Sequence, residues 1–209
     1  MLERFRAFWT KVFSPVARFF LRLGISPDAV TVVGTLGVCV GALGFFPRGQ
    51  LLVGVLVVTA FVFSDIVDGR MARLSGRSSA WGAFLDSTLD RFGDAAIFAG
   101  LAMYYVGPGS SRALAGLAIY CLVMGSITSY ARARAESLGM QAKGGIAERA
   151  DRLVAILVMT GIADLLHLAL GTDKPLVLIP ITLGVLAAAS TITVIQRIML
   201  VRSQARASV

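Results

Sequence analysis

Four carboxylates, Asp65, Asp68, Asp86 and Asp90, lie within 26 residues of a chain that is otherwise mostly apolar. A charged group at membrane depth is costly unless it is paired, hydrated or bound to a metal ion, so such a cluster reads as a functional site. Asp65 and Asp68 are three residues apart, and Asp86 and Asp90 are four apart. On helices each pair shares one face, with Cβ atoms about 5–6 Å apart. Four carboxylates facing one another repel unless a cation sits among them. Hard oxygen ligands suit Mg²⁺, Mn²⁺ or Ca²⁺ rather than zinc. Metal ions held this way would neutralise a diphosphate and stabilise its leaving group, which is phosphoryl-type chemistry at a lipid surface. Gly69 and Gly82 carry no side chain, so a ligand or a neighbouring backbone can approach closely.

The elements that must position these groups follow from the flanking sequence. An apolar run precedes the first pair and another follows the second. The link from Leu74 to Ala80 contains Ser75, Gly76, Ser78 and Ser79, which reads as a turn. Two antiparallel helices should therefore meet with the carboxylate pairs facing each other.

The whole chain has 209 residues, 56% hydrophobic and 15% charged. Apolar runs of about 20 residues recur, each long enough to cross ~30 Å of hydrocarbon. The expectation is an all-α polytopic membrane protein, a single domain over 1–209. It comprises an N-terminal interfacial amphipathic helix over 1–23 and a bundle of six transmembrane helices over 29–200. The spans fall near 29–46, 51–73, 80–106, 112–136, 149–170 and 175–200. Residues 1–23 repeat apolar side chains at three and four between arginines and lysines, as in a helix lying on an anionic leaflet; a basic partner-binding helix is the alternative. Glycine is abundant, with 22 residues, as expected where membrane helices pack closely. Cys39 and Cys121 sit in apolar runs and read as small core residues.

The net charge of +8 does not point to nucleic acid. Sixteen lysines and arginines fall on the side of the membrane that holds both termini and the Asp cluster, against Arg48, Arg112 and Lys174 on the other. The positive-inside rule then makes this a multi-pass protein of the cell membrane, with its active site and both termini cytoplasmic.

The stretch from Asp65 to Asp90 resembles the CDP-alcohol phosphotransferase family. It carries Asp-x2-Asp-Gly-x2-Ala-Arg-x8-Gly-x3-Asp-x3-Asp, with all eight fixed residues in place. The resemblance implies a CDP-linked lipid donor, CDP-diacylglycerol, from which an acceptor hydroxyl displaces CMP. It implies Mg²⁺, with Mn²⁺ as the alternative and two ions in number, held by Asp65, Asp68 and Asp86. Asp90 is implied as the general base and as a further contact to the second metal. Gly69, Ala72, Arg73 and Gly82 match positions that accommodate the cytidine diphosphate, and Ser79 in the linking turn could join them. Asp28 and Thr31, at the start of the first span, are candidates for the base and ribose, with helix capping as the other reading. A homodimer in membrane lipid is also implied.

The acceptor is read from arginines. Ser129 and Arg132 share a helix face, Arg134 is close by, Arg152 opens the fifth span and Arg197 ends the sixth. Single basic residues at helix ends are usually topological anchors or snorkelling side chains. Four converging from three helices suit a phosphate dianion, which a phosphorylated alcohol would bring and free inositol would not. The stretches Ser129–Glu136 and Glu148–Arg152 resemble those of actinobacterial members of the family that use an inositol phosphate, myo-inositol 3-phosphate. Glycerol 3-phosphate is the nearest alternative acceptor. The charged residues at 148–152 are otherwise expected to pair along their own helix. Arg91 and Asp94 adjoin the site and would balance its charge. A carboxylate-lined cation transporter is the non-enzyme alternative, and an intramembrane prenyltransferase the other enzyme class. Adjacent Asp pairs with the Gly-Ala-Arg insert argue against the prenyltransferase, and the lack of two related halves argues against the transporter.

Overall fold

The computed structural model describes residues 14–76 and 79–207, apart from the side chain of Asp65. The N-terminal part of the expected interfacial helix, residues 1–13, lies outside the described residues. Residues 14–22 are helical and form α1. Then follow α2 (Pro27–Phe45), α3 (Leu51–Val62), α4 (Ser64–Leu74), α5 (Ala80–Val106), α6 (Arg112–Ser137), α7 (Arg149–Leu170) and α8 (Leu178–Ala207), with single 3-10 turns at Phe46–Arg48 and Lys174–Val177.

Local chemistry sets most helix starts. Ser26 caps α2, its side chain accepting from Ala29 N at 3.2 Å, and Pro27 follows where its missing N–H costs nothing. Ser79 caps α5 through Gly82 N at 3.0 Å. At α7, Asp151 accepts from Glu148 N at 3.1 Å within a reciprocal capping box. No residue near α3 caps it locally. The carboxylate of Asp164, from α7, accepts from Leu52 N at 2.6 Å instead.

Among the described residues, five segments are long and apolar enough to cross a membrane: Pro27–Arg48, Leu51–Leu74, Arg112–Ser137, Arg149–Leu170 and Lys174–Ala207. The sixth expected span is α5. At 27 residues it extends about 40 Å, but Asp86, Asp90, Arg91 and Asp94 crowd its first half. The second expected span, 51–73, is not one helix. It breaks at Phe63, where α3 ends and α4 begins. The last helix runs on to Ala207, beyond the expected end at 200.

Helix α2 packs against α3, α4 and α5, α5 against α6, and α8 against α6 and α7. The main buried core runs through α2, α3, α5, α6, α7 and α8, from Val38 and Ala42 to Ile179 and Leu183, while Val67 and Met71 of α4 pack with Ala17 of α1 in a second cluster. Close approach depends on glycine: a methyl on Gly100 would lie 2.7 Å from the Ala42 carbonyl, so α2 and α5 touch backbone to backbone there. Outward, Val33, Leu36 and Val40 are exposed at helical spacing on α2, as a lipid-facing stripe requires.

Candidate active site

The N-terminal turns of α2 and α5 and the body of α4 enclose a cavity of about 350 Å³. Its walls include Asp28, Thr31, Gly69, Ala72, Arg73, Ser79 and Gly82, together with Asp68 and Asp86. Residues from three separate segments thus converge on one space. Thr31 Oγ1 donates to Asp68 Oδ2 at 2.6 Å, fixing α4 to α2. Trp81 Nε1 donates to Asp28 Oδ2 at 3.2 Å, fixing α5 to α2. Capping of α2 falls to Ser26, so neither Asp28 nor Thr31 is used as the cap.

The two glycines of the cavity are not there to relieve packing. A methyl on Gly69 would meet nothing closer than Arg73 Nη2 at 3.9 Å, and one on Gly82 nothing closer than Ser79 Oγ at 3.4 Å. Neither has positive φ. The volume a side chain would take belongs to the cavity.

Asp68 is 5% exposed and within electrostatic reach of both Asp86 and Asp90. Asp68 of the first pair and Asp86 of the second thus share one cavity, with the start of α2 as a common wall. Among the described side chains, no three metal-binding groups converge at ligand distance, and the side chain of Asp65 lies outside the description. The donor chemistry fits a divalent cation: oxygen donors only, carrying negative charge, beside a cavity.

Asp90 is one turn beyond Asp86 and is ion-paired. Arg149 Nη2 lies 2.9 Å from its Oδ1, and Arg149 Nε lies 2.9 Å from Asp94 Oδ1. Arg91 approaches Asp94 at 3.5 Å and Asp90 at 3.9 Å, and also donates to Ser129 Oγ. Sequence spacing does not single out Arg149. Pairing along α7 is expected of it, whereas its partners lie on α5, beside the cavity. The only local hint is its place beside the capping box.

Arg152 and Arg197 are 3% and 5% exposed. Arg152 donates to the carbonyls of Ala147 (3.1 Å) and Gly125 (3.4 Å). Arg197 donates to those of Gly144 (3.1 Å) and Thr128 (2.5 Å). Carbonyls satisfy hydrogen bonds but not net charge, and a buried guanidinium gains most from an anion. Arg152 is within electrostatic reach of Arg91, Arg149 and Arg197, and Arg197 of Arg132. Arg132 is half-exposed and pairs with Glu136 at 3.0 Å. Arg134, two residues on and so on the other side of α6, is exposed and donates to Ser137 Oγ at 3.3 Å. The structure therefore gathers Ser129, Arg132, Arg152 and Arg197 with Arg91 and Arg149, and leaves Arg134 outside.

The chain belongs to the CDP-alcohol phosphatidyltransferase family, whose model matches residues 24–201. It is 51% identical over 206 residues to the phosphatidylinositol phosphate synthase of Streptomyces avermitilis, covering 98% of this chain and 84% of that protein. It superposes with a TM-score of 0.85 and 39% identity on the phosphatidylinositol phosphate synthase of Mycobacterium tuberculosis solved with CDP-DAG bound, over 91% of this chain and 94% of that one. The same mycobacterial enzyme in complex with manganese and citrate gives a TM-score of 0.80 at 38% identity, over 90% and 88% of the two chains.

Proposed function

We propose that this enzyme transfers a phosphatidyl group from CDP-diacylglycerol to myo-inositol 3-phosphate, giving phosphatidylinositol phosphate and CMP. The observation that carries the reading is the single cavity in which Asp68 and Asp86 share walls with Asp28, Thr31, Gly69, Ala72, Arg73, Ser79 and Gly82. The relatives named for this reaction support it, as does the mycobacterial structure with CDP-DAG.

In this reading the cytidine lies against Gly69, Ala72 and Gly82, whose small size leaves it room. Arg73 holds phosphate by charge-assisted hydrogen bonds, and Ser79 stands at the cavity rim. Asp28 and Thr31 face the base and ribose. Asp65, Asp68, Asp86 and Asp90 hold two divalent ions, Mg²⁺ or Mn²⁺, which supply charge neutralisation to the diphosphate; a relative solved with manganese supports a divalent ion. Asp90 takes the proton from the acceptor hydroxyl as that oxygen attacks the phosphatidyl phosphorus and the bond to CMP breaks. Ser129, Arg132, Arg152 and Arg197 receive the acceptor's phosphate. Helix α5 serves as the sixth span, the protein acts as a homodimer in the cell membrane, and the site and both termini face the cytoplasm, as the arginine and lysine bias supports.

The test is CMP release by purified protein in lipid, with CDP-diacylglycerol and Mg²⁺, comparing inositol 3-phosphate, glycerol 3-phosphate and free inositol. Release with inositol 3-phosphate alone is expected. Release with glycerol 3-phosphate instead would keep the donor chemistry and overturn the acceptor. Release with free inositol would remove the phosphate-binding role from the arginines.

A further inference from the structure

Arg149 opens α7 and places its guanidinium between two carboxylates of α5, at 2.9 Å from each. The two anchors are unlike. Asp94 is buried and also held by Arg91 at 3.5 Å. Asp90 borders a small cavity, of about 40 Å³, whose wall Arg149 shares. Arg149 is also within electrostatic reach of Arg152, which places its charge beside the basic cluster.

Asp90 Oδ1 is therefore claimed twice. A divalent cation of the magnesium type takes carboxylate oxygens at about 2.0–2.1 Å. A guanidinium nitrogen resting on the same oxygen would then face that cation with no screening group between them, and like charges that close repel. Asp94 lies one helical turn deeper and keeps its hold on Arg149 whatever Asp90 binds.

Building on the roles given above to Asp90 and to the arginine cluster, we propose that Arg149 is a positioning residue that exchanges partners. It pivots on Asp94, yields Asp90 to the divalent cation, and turns the freed Nη2 donor to the phosphate of the acceptor. The exchange couples the two halves of the site: an acceptor anion binds best once a cation has taken Asp90. The planar fork of arginine matters, because one nitrogen must stay on Asp94 while another moves.

The experiment is Mn²⁺ binding by electron paramagnetic resonance, on the full-length protein in detergent without substrates, paired with steady-state kinetics against inositol 3-phosphate. Arg149→Gln removes a competing cation, so Mn²⁺ should bind about threefold to tenfold more tightly. The same variant should need at least about tenfold more inositol 3-phosphate for half-maximal rate. A merely structural loss would weaken both. If Arg149→Gln fails to fold, Arg149→Lys carries the test: it keeps the charge but lacks the fork that holds Asp94 with one nitrogen while another turns to the acceptor, so the inositol 3-phosphate needed for half-maximal rate must still rise. Equal or weaker Mn²⁺ binding in folded Arg149→Gln, or an unchanged inositol 3-phosphate requirement in Arg149→Lys, overturns the exchange. Asp86→Asn separates this from the reading beneath it. If that variant binds Mn²⁺ as the wild type does, the metal site is misassigned and the exchange falls with it; if binding is lost while Arg149→Gln still shows no gain, only the exchange is wrong.

Discussion

The hydroxyl of Thr31 and the carboxylate of Asp68 meet at 2.6 Å across the seam between α2 and α4, both buried, at the wall of the cavity proposed to take the nucleotide. This contact sets the direction of an aspartate proposed to hold metal. Replacing Thr31 by Val keeps the shape and removes the donor. A hydrogen bond to a charged group contributes about 1.5–3 kcal/mol, so Thr31→Val should raise the Mg²⁺ requirement for CMP release roughly tenfold or more. Thr31→Ser should restore it. A Mg²⁺ titration of both variants checks this; equal curves would show that Asp68 does not depend on Thr31.

Gly69 offers a prediction with opposite signs. Its helical backbone needs no glycine, and a methyl there meets nothing within 3.9 Å. Glycine to alanine within a helix stabilises by about 0.5–1 kcal/mol. Gly69→Ala should therefore unfold at an unchanged or higher temperature while its KM for CDP-diacylglycerol rises several-fold, because the methyl enters the cavity. Thermal unfolding in detergent and donor kinetics together decide it. A variant with full activity would mean that the nucleotide does not lie against Gly69.

What was visible in the chain before folding was local. The start of α5 at Ser79 and most other helix starts rest on neighbours within four residues and fall close to the expected positions. The break at Phe63 did not announce itself, since Val62-Phe63-Ser64 contains neither proline nor glycine. Arg149 was missed for a different reason. Its bonds to Asp94 and to the Asp90 carbonyl join residues 55 and 59 positions apart, and helical pairing rules see only the nearer charges on its own helix. The cluster around Arg152 and Arg197 was legible as sequence because buried charge is rare in an apolar chain. That carbonyls hold both guanidinium groups was not, since any backbone offers carbonyls.

Asp164 is a buried carboxylate outside the active site, and its job is structural. It accepts from Leu52 N at 2.6 Å and so caps α3 from a helix 112 residues away. Removing such a cap costs about 0.5–2 kcal/mol. Asp164→Ala should lower the unfolding temperature in detergent by several degrees and leave both KM values as they are. Asp164→Asn, which keeps an acceptor oxygen, should lose less. A change in KM with no loss of stability would reassign Asp164 to function.

Arg197 tests whether charge alone builds the acceptor site. Its Nε and Nη1 hold the Gly144 and Thr128 carbonyls at once, tying the α6–α7 linker to the second half of α6. The same linker is pinned to α8 by Gln204, which bonds Gln141 N and Gln141 O at 2.9 and 2.6 Å, so the linker should stay in place when Arg197 is changed. Lysine keeps the charge but lacks the fork and cannot bridge both carbonyls. Arg197→Lys should therefore raise the KM for inositol 3-phosphate by about tenfold or more, a loss of the order seen for a charge-assisted hydrogen bond. The KM for CDP-diacylglycerol should stay unchanged, since the donor cavity does not include α8. Arg132, half-exposed and paired with Glu136, makes the contrast. Its charge is screened, so Arg132→Lys should change the acceptor KM by less than about threefold. Kinetics of the two lysine variants against both substrates discriminate. Equal effects would mean that the cluster works as diffuse positive charge; a large effect at Arg197 alone would mean that the fork geometry positions the acceptor.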